Sequence, residues 1–123
     1  AGQVPGMPLT AYPADESMAG IAGRVFSEVE PGVRVFRGRV ASGDSFIADK
    51  ASKDRIAAAF GAACTEMEGA GVAQACCRNK VPFLIVRAIS DKADGSDWMN
   101  YDAFEQKAAR HSQKFVRALV PLI

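Results

Sequence analysis

The sequence predicts an α/β layered fold whose late strands run largely parallel. Three observations carry that prediction. Residues 15–29 and the stretch after residue 100 repeat apolar side chains at helical spacing. Residues 81–89 form a nearly continuous apolar run, as in a strand covered on both faces. Helical and strand-like patterns alternate between them.

In chain order, residues 1–13 carry Pro5, Pro8 and Pro13 with Gly2 and Gly6, a density that blocks both helix and central strand, so this opening is a loop. Over residues 15–29, Met18, Ile21, Ala22, Val25 and Phe26 mark one helical face, with Asp15 placed to cap and Pro31-Gly32 to stop. Residues 33–40 alternate β-branched and aromatic residues with arginines, the pattern of a strand with one wet face, and run into the polar turn Ala41-Ser42-Gly43-Asp44. Either Asp49 or Ser52 caps a second helix ending at Phe60, and a short strand follows over residues 62–67. Residues 69–78 read as a helix of small residues suited to close packing on a sheet. Pro82 is acceptable at the start of the apolar run 81–89. After a polar loop over residues 91–100, Tyr101, Phe104, Ala108, Phe115, Leu119 and Leu122 form the stripe of a long C-terminal helix. Three strands are few for a sheet covered by helices on both sides, which points to a partial fold.

Composition narrows the function classes. With 49% hydrophobic and 24% charged residues, the 123-residue chain has the makeup of a globular domain with one core. Fifteen basic and fourteen acidic side chains interleave to a formal charge of +1, which leaves no electrostatic footprint for nucleic acid or an anionic membrane. The apolar run 81–89 falls far short of the ~20 residues that span a bilayer. Ala1 opens no basic and then apolar leader, so the expected location is the cytoplasm. Cys64, Cys76 and Cys77 suit reduced packing thiols better than a disulfide framework. With His111 as the single histidine and no Cys-x-x-Cys pair, no metal site is expected. His111 itself reads as a border residue of the last helix.

Two carboxylate motifs fall at predicted strand ends, where open α/β sheets bind ligands. In Glu66-Met67-Glu68, period-2 alternation aims both acids away from Met67. One of them has two readings, as a ligand of substrate or as an acceptor for the amides of the helix that follows. In Arg87-Ala88-Ile89-Ser90-Asp91 a buried strand ends in polar residues, and a carboxyl desolvated there can hold a proton near neutral pH. Asp91 is therefore either a general acid or a residue that caps a turn or pairs with Arg87. Phe46, after the turn Ser42-Gly43-Asp44-Ser45, either stacks on a flat base or, as is commoner, joins the core. Gly69-Ala70-Gly71 lacks the lysine and glycine spacing of a phosphate loop and reads as helix packing.

Gly2-Gln3-Val4-Pro5-Gly6-Met7-Pro8, Ser42-Gly43-Asp44-Ser45-Phe46-Ile47, the segment from Glu66-Met67-Glu68 through Ala73, and the run from Val81 to the Arg87-Ala88-Ile89-Ser90-Asp91 end together resemble, in order and spacing, the bacterial 5′-methylthioadenosine/S-adenosylhomocysteine nucleosidases. Glu-Met-Glu alone also suits the related purine and uridine phosphorylases, whereas the Gly-Gln-x-Pro-Gly opening together with Arg-Ala-Ile-Ser-Asp is more particular. The resemblance covers nearly the whole chain but only the later part of that family's domain. It implies that residues 1–123 are the C-terminal portion of one nucleoside phosphorylase-like domain, a three-layer α/β/α sandwich around a mixed sheet, without its N-terminal half. It further implies hydrolysis of the N-glycosidic bond of a purine nucleoside, with release of adenine and the 5-thioribose product, by a cytoplasmic homodimer that needs no cofactor.

Carried over by position, Asp91 corresponds to the acid that protonates adenine N7, with Ser90 holding it and Arg87 supporting the site. Phe46 corresponds to the residue that stacks on the base, and the Ile47 main chain to the group that reads the base edge. Glu68 corresponds to the ligand of the ribose hydroxyls and Met67 to the residue packed on the sugar. Pro5 corresponds to a residue lent to the 5′-alkylthio pocket of the neighbouring subunit. The family's water-activating glutamate lies near its N-terminus, outside these positions, so the chain by itself is expected to be inactive or poorly folded. The rival readings are a nucleoside phosphorylase, a hydrolase of another nucleoside such as futalosine, and a silent nucleoside-binding or dimerisation fragment.

Overall fold

The computed structural model describes residues 2–89 and 101–123. Asp15 begins the first helix, α1 (Glu16–Val29), by accepting a hydrogen bond from the Met18 amide at 2.9 Å. The helix ends at Glu30, ahead of Pro31. The strand β1 (Arg39–Ser42) leads to α2 (Lys50–Phe60), where Asp49 is the cap and accepts from the Ser52 amide at 2.8 Å. Gly61 closes α2 in the left-handed conformation (φ 61°), which glycine adopts without a Cβ penalty. Strand β2 (Ala62–Glu66) then feeds α3 (Gly69–Asn79), and α4 (Tyr101–Leu119) ends in a 3-10 turn (Val120–Leu122).

Among the described residues the sheet has two parallel strands, with Val40 opposite Cys64, Ala41 opposite Thr65 and Ser42 opposite Glu66. Helices α2 and α3 pack on these strands, and α1 packs on α4. A mixed α/β arrangement with helices flanking a small parallel sheet is thus present, as the alternating patterns predicted. Gly38 sets how closely the two strands can start: a Cβ there would stand 2.5 Å from the Ala63 Cβ. The core lies between α1 and α4, where Ala22, Val25, Phe115 and Leu119 are buried and the Phe26 and Phe115 rings meet at 4.9 Å. At its edge His111 faces Glu30, with Nδ1 2.8 Å from Oε2, a border position as its place in the stripe predicted.

Three expectations need correction. Residues 33–38 are not strand; the ladder begins at Arg39, opposite Ala62. The cause lies in the partner, since Gly61 caps α2 and leaves β2 nothing earlier with which to pair. Val33 turns back instead, donating its amide to the Glu30 carbonyl. Residues 81–89 also carry no strand ladder among the described residues. Apolar composition supplies the covered surface of a strand, but a ladder needs a hydrogen-bonded neighbour on at least one side. Phe83 is nonetheless buried, and its carbonyl accepts from the Asp15 amide, tying this segment to the start of α1. Finally, Leu122 is exposed: Pro121 lacks the amide needed to continue the helix, and the last turn leaves the stripe.

The loop over residues 2–13 has no regular structure, as its prolines predicted. No helix among the described residues is long and apolar enough to cross a membrane.

Because Phe115 is 3% exposed at the centre of the α1–α4 contact, Phe115→Ala is expected to destabilise the fold by about 3–5 kcal/mol. Denaturant unfolding checks this, and a loss below about 1 kcal/mol would place the core elsewhere.

Candidate functional site

The turn after β2 is organised around the carboxylate of Glu66, whose side chain is 10% exposed. β2 ends at this residue, and the chain passes through Met67 and Glu68 before α3 begins. The first amides of α3 have no partners within the helix and must find them elsewhere. Glu68, the cap residue, makes no side-chain capping bond. Glu66 does the work instead: its Oε2 accepts from the Glu68 amide at 3.1 Å and the Gly69 amide at 2.7 Å. The next amide, Ala70, donates to the Ser42 Oγ at 2.8 Å, and that hydroxyl donates in turn to Glu66 Oε1. The register opposing Ser42 to Glu66 across the sheet makes this possible.

Gly69 is required by the same packing. A Cβ at Gly69 would lie 2.9 Å from Glu66 Oε1 and 3.1 Å from its Cδ, so any larger residue displaces the carboxylate.

Arg87 completes the cluster. Its Nη2 lies 2.5 Å from Glu66 Oε2 and 2.8 Å from Glu68 Oε2, so one terminal nitrogen serves both acids. The Glu68 side chain is 65% exposed and contrasts with its buried neighbour. Burial pushes the Glu66 carboxyl up, but the Ser42 hydroxyl, the Gly69 and Glu68 amides and the Arg87 charge together hold it below the ordinary glutamate value. Cys64, one turn of the pleat away, is shifted upward by burial and then by the Glu66 charge, which keeps it a thiol.

A cavity of about 610 Å³ opens over this cluster, within the size range of small-molecule sites. Glu66, Met67, Glu68 and Arg87 line one part of it, and Phe46 and Ile47 line another. Phe46 is 76% exposed, so the core reading is wrong for it. The turn before it lifts the ring out of the packed layer and leaves it over the opening. Period-2 alternation also fails at Met67, which lines the cavity together with both acids because the strand stops at Glu66.

The chain matches the family model described as Phosphorylase superfamily over residues 3–121. The chain belongs to the phosphorylase superfamily. It is 40% identical over 123 residues to the 5′-methylthioadenosine/S-adenosylhomocysteine nucleosidase of Bacillus subtilis, covering 99% of this chain and 52% of that protein. The solved Campylobacter jejuni nucleosidase of the same name superposes with a TM-score of 0.87 at 37% identity, over 99% of this chain and 52% of that one. Futalosine hydrolase of Helicobacter pylori superposes with a TM-score of 0.84 at 35% identity, over 99% and 51% of the two chains. The chain therefore spans about half the length of the relatives it matches.

Within this superfamily fold, six of the eight residues singled out from sequence fall among the described residues: Pro5, Phe46, Ile47, Met67, Glu68 and Arg87. Five of them line this cavity, and Pro5 lies in the exposed opening loop, outside its lining. Ser90 and Asp91 lie outside the described residues. Sequence reasoning left Glu66 and Ser42 out of the site. Glu66 was visible as one of two acids, and the alternative reading, an acid that satisfies helix amides, is the one it fulfils. No local pattern marks Ser42, whose partners lie 24 and 28 residues away.

The lowered Glu66 carboxyl has a pH consequence. A carboxyl depressed on folding adds stability above its unfolded value of about 4.3, and the gain is lost as pH falls through the lower folded value. The thermal midpoint of the protein should therefore exceed that of Glu66→Gln at neutral pH, and the gap should close as pH falls below about 4. A gap independent of pH would show that the charge of Glu66 adds nothing.

Proposed function

We propose that the protein carrying this chain hydrolyses the N-glycosidic bond of 5′-methylthioadenosine and S-adenosylhomocysteine, releasing adenine and the 5-thioribose product. The observation that carries the reading is the convergence of Glu68, Met67, Arg87, Phe46 and Ile47 on one cavity, in a chain of this superfamily. Residues 1–123 are, in this reading, the later portion of one domain, and the activity belongs to the whole fold.

The chemistry follows from charge. Departure of adenine leaves positive charge on the ribose, so a proton delivered to N7 improves the leaving group and a carboxylate beside the sugar favours the oxocarbenium-like state. Asp91, held by Ser90, supplies the proton. Glu68 accepts from the ribose hydroxyls and Met67 packs on the sugar. The exposed Phe46 ring stacks on the purine while the Ile47 main chain reads its edge. Pro5 reaches the 5′-alkylthio pocket of a second copy in a homodimer, which accords with its place in an exposed loop outside the lining of the chain's own cavity. Water is the nucleophile. Arg87, a cation beside the acids, already faces two carboxylates, a poor setting for a phosphate anion.

The likeness to futalosine hydrolase favours one second reading, hydrolysis of futalosine by the same groups. The two readings share a mechanism and differ in the base and the 5′ substituent.

The test is adenine release from methylthioadenosine by the protein, with and without phosphate, beside release of the purine base from futalosine. Adenine release without phosphate is expected, and Asp91→Asn should lose about 10²–10⁴ in rate. Formation of a ribose 1-phosphate that depends on phosphate would contradict hydrolysis, and faster turnover of futalosine would transfer the substrate assignment to it.

A further inference from the structure

Two carboxylates share one guanidinium nitrogen at this site, and they are not equivalent. Arg87 Nη2 has two protons, one for Glu66 Oε2 at 2.5 Å and one for Glu68 Oε2 at 2.8 Å. Glu66 is locked: Oε2 also takes the Glu68 and Gly69 amides, Oε1 takes the Ser42 hydroxyl, and that hydroxyl holds the Ala70 amide. It cannot turn away without uncapping α3. Glu68 is 65% exposed, and Arg87 is the partner of its carboxylate among the described residues.

We propose that Glu66, fixed by Ser42, is a positioning residue that anchors Arg87 and thereby leaves the Glu68 carboxylate available to the sugar hydroxyls. The inference rests on the sugar-binding role proposed above for Glu68. Its physical basis is the preference of a guanidinium and a lone carboxylate for a two-pronged pair, in which both carboxylate oxygens are consumed. Glu66 draws off one Nη2 proton and holds the arginine at a fixed place. Arg87 then touches Glu68 through one oxygen and leaves its other oxygen open to hydroxyl donors. Without the Glu66 charge, Arg87 is free to turn fully onto Glu68 and close it off.

The role makes itself felt in sugar discrimination and not simply in rate. The measurement is the ratio of kcat/KM for methylthioadenosine to that for its 2′-deoxy and 3′-deoxy analogues, in the protein and in Glu66→Gln, Ser42→Ala, Glu68→Gln and the Glu66→Gln/Glu68→Gln double variant. Glu66→Gln keeps the shape of the side chain and should lower the ratio about tenfold. Ser42→Ala, the milder change, should lower it in the same direction, and it carries the test if Glu66→Gln does not fold. In the Glu68→Gln background, Glu66→Gln should alter the ratio by less than about twofold, because its effect passes through Glu68. Equal losses for ribose and deoxyribose substrates in Glu66→Gln and Ser42→Ala would mean a merely structural role and overturn the proposal, as would full additivity in the double variant. If Glu68→Gln itself leaves the ratio unchanged, the sugar-binding reading falls and this inference falls with it. If Glu68→Gln abolishes the discrimination while Glu66→Gln preserves it, the positioning role alone is lost.

Discussion

A carboxylate withdrawn from water costs several kcal/mol unless its oxygens are met by donors and charge, and the turn between β2 and α3 is built around meeting that demand at Glu66. Both oxygens are occupied, by a hydroxyl from the neighbouring strand, two amides of the helix entrance and one guanidinium. Each donor imposes something on the rest of the molecule. The hydroxyl requires β1 and β2 to pair with Ser42 opposite Glu66. The amides require a glycine at position 69, where a side chain would strike the carboxylate. The guanidinium requires residues 81–89 to run beside β2, although no ladder joins the two among the described residues.

The same arrangement links folding to chemistry. Helix entrances attract negative charge because their free amides carry partial positive charge. Here the strand end supplies that charge from Glu66, so Glu68, the nominal cap, is released from capping and projects toward the cavity. One acid holds the scaffold and the other faces the cavity. Two like charges this close would repel, and the Arg87 cation between them offsets that repulsion.

How far the sequence disclosed this depends on the range of the interaction. The start of α1 is legible to the residue, because Asp15 caps an amide three positions ahead, whereas for α2 the sequence offers Asp49 or Ser52 and the fold uses Asp49. The start of α3 is legible in place and, for the acid at the strand end, in mechanism, but not for the serine that lies 28 residues away from the amide it holds. Alternation placed a strand over residues 33–40, yet the ladder is set by what β2 offers, and only Arg39–Ser42 pair. The exposed ring of Phe46 has no cue in composition, because an aromatic after a turn packs inward more often than outward. Phe46, Glu66-Met67-Glu68 and the strand end at Arg87 stand out in the sequence itself, the resemblance adds Ile47 and the separate roles, and the meeting of these residues at one opening is a property of the folded chain.

Arg87 bridges a fixed acid and one that, under the proposed function, faces the sugar. A crystal structure of the protein with a methylthioadenosine analogue bound tests this bridging most directly. The Glu68 carboxylate is expected within about 3 Å of the ribose hydroxyls, with Arg87 still seated on Glu66 and the purine against Phe46. A sugar bound out of reach of Glu68, or Arg87 drawn off Glu66 to close on Glu68, would contradict it.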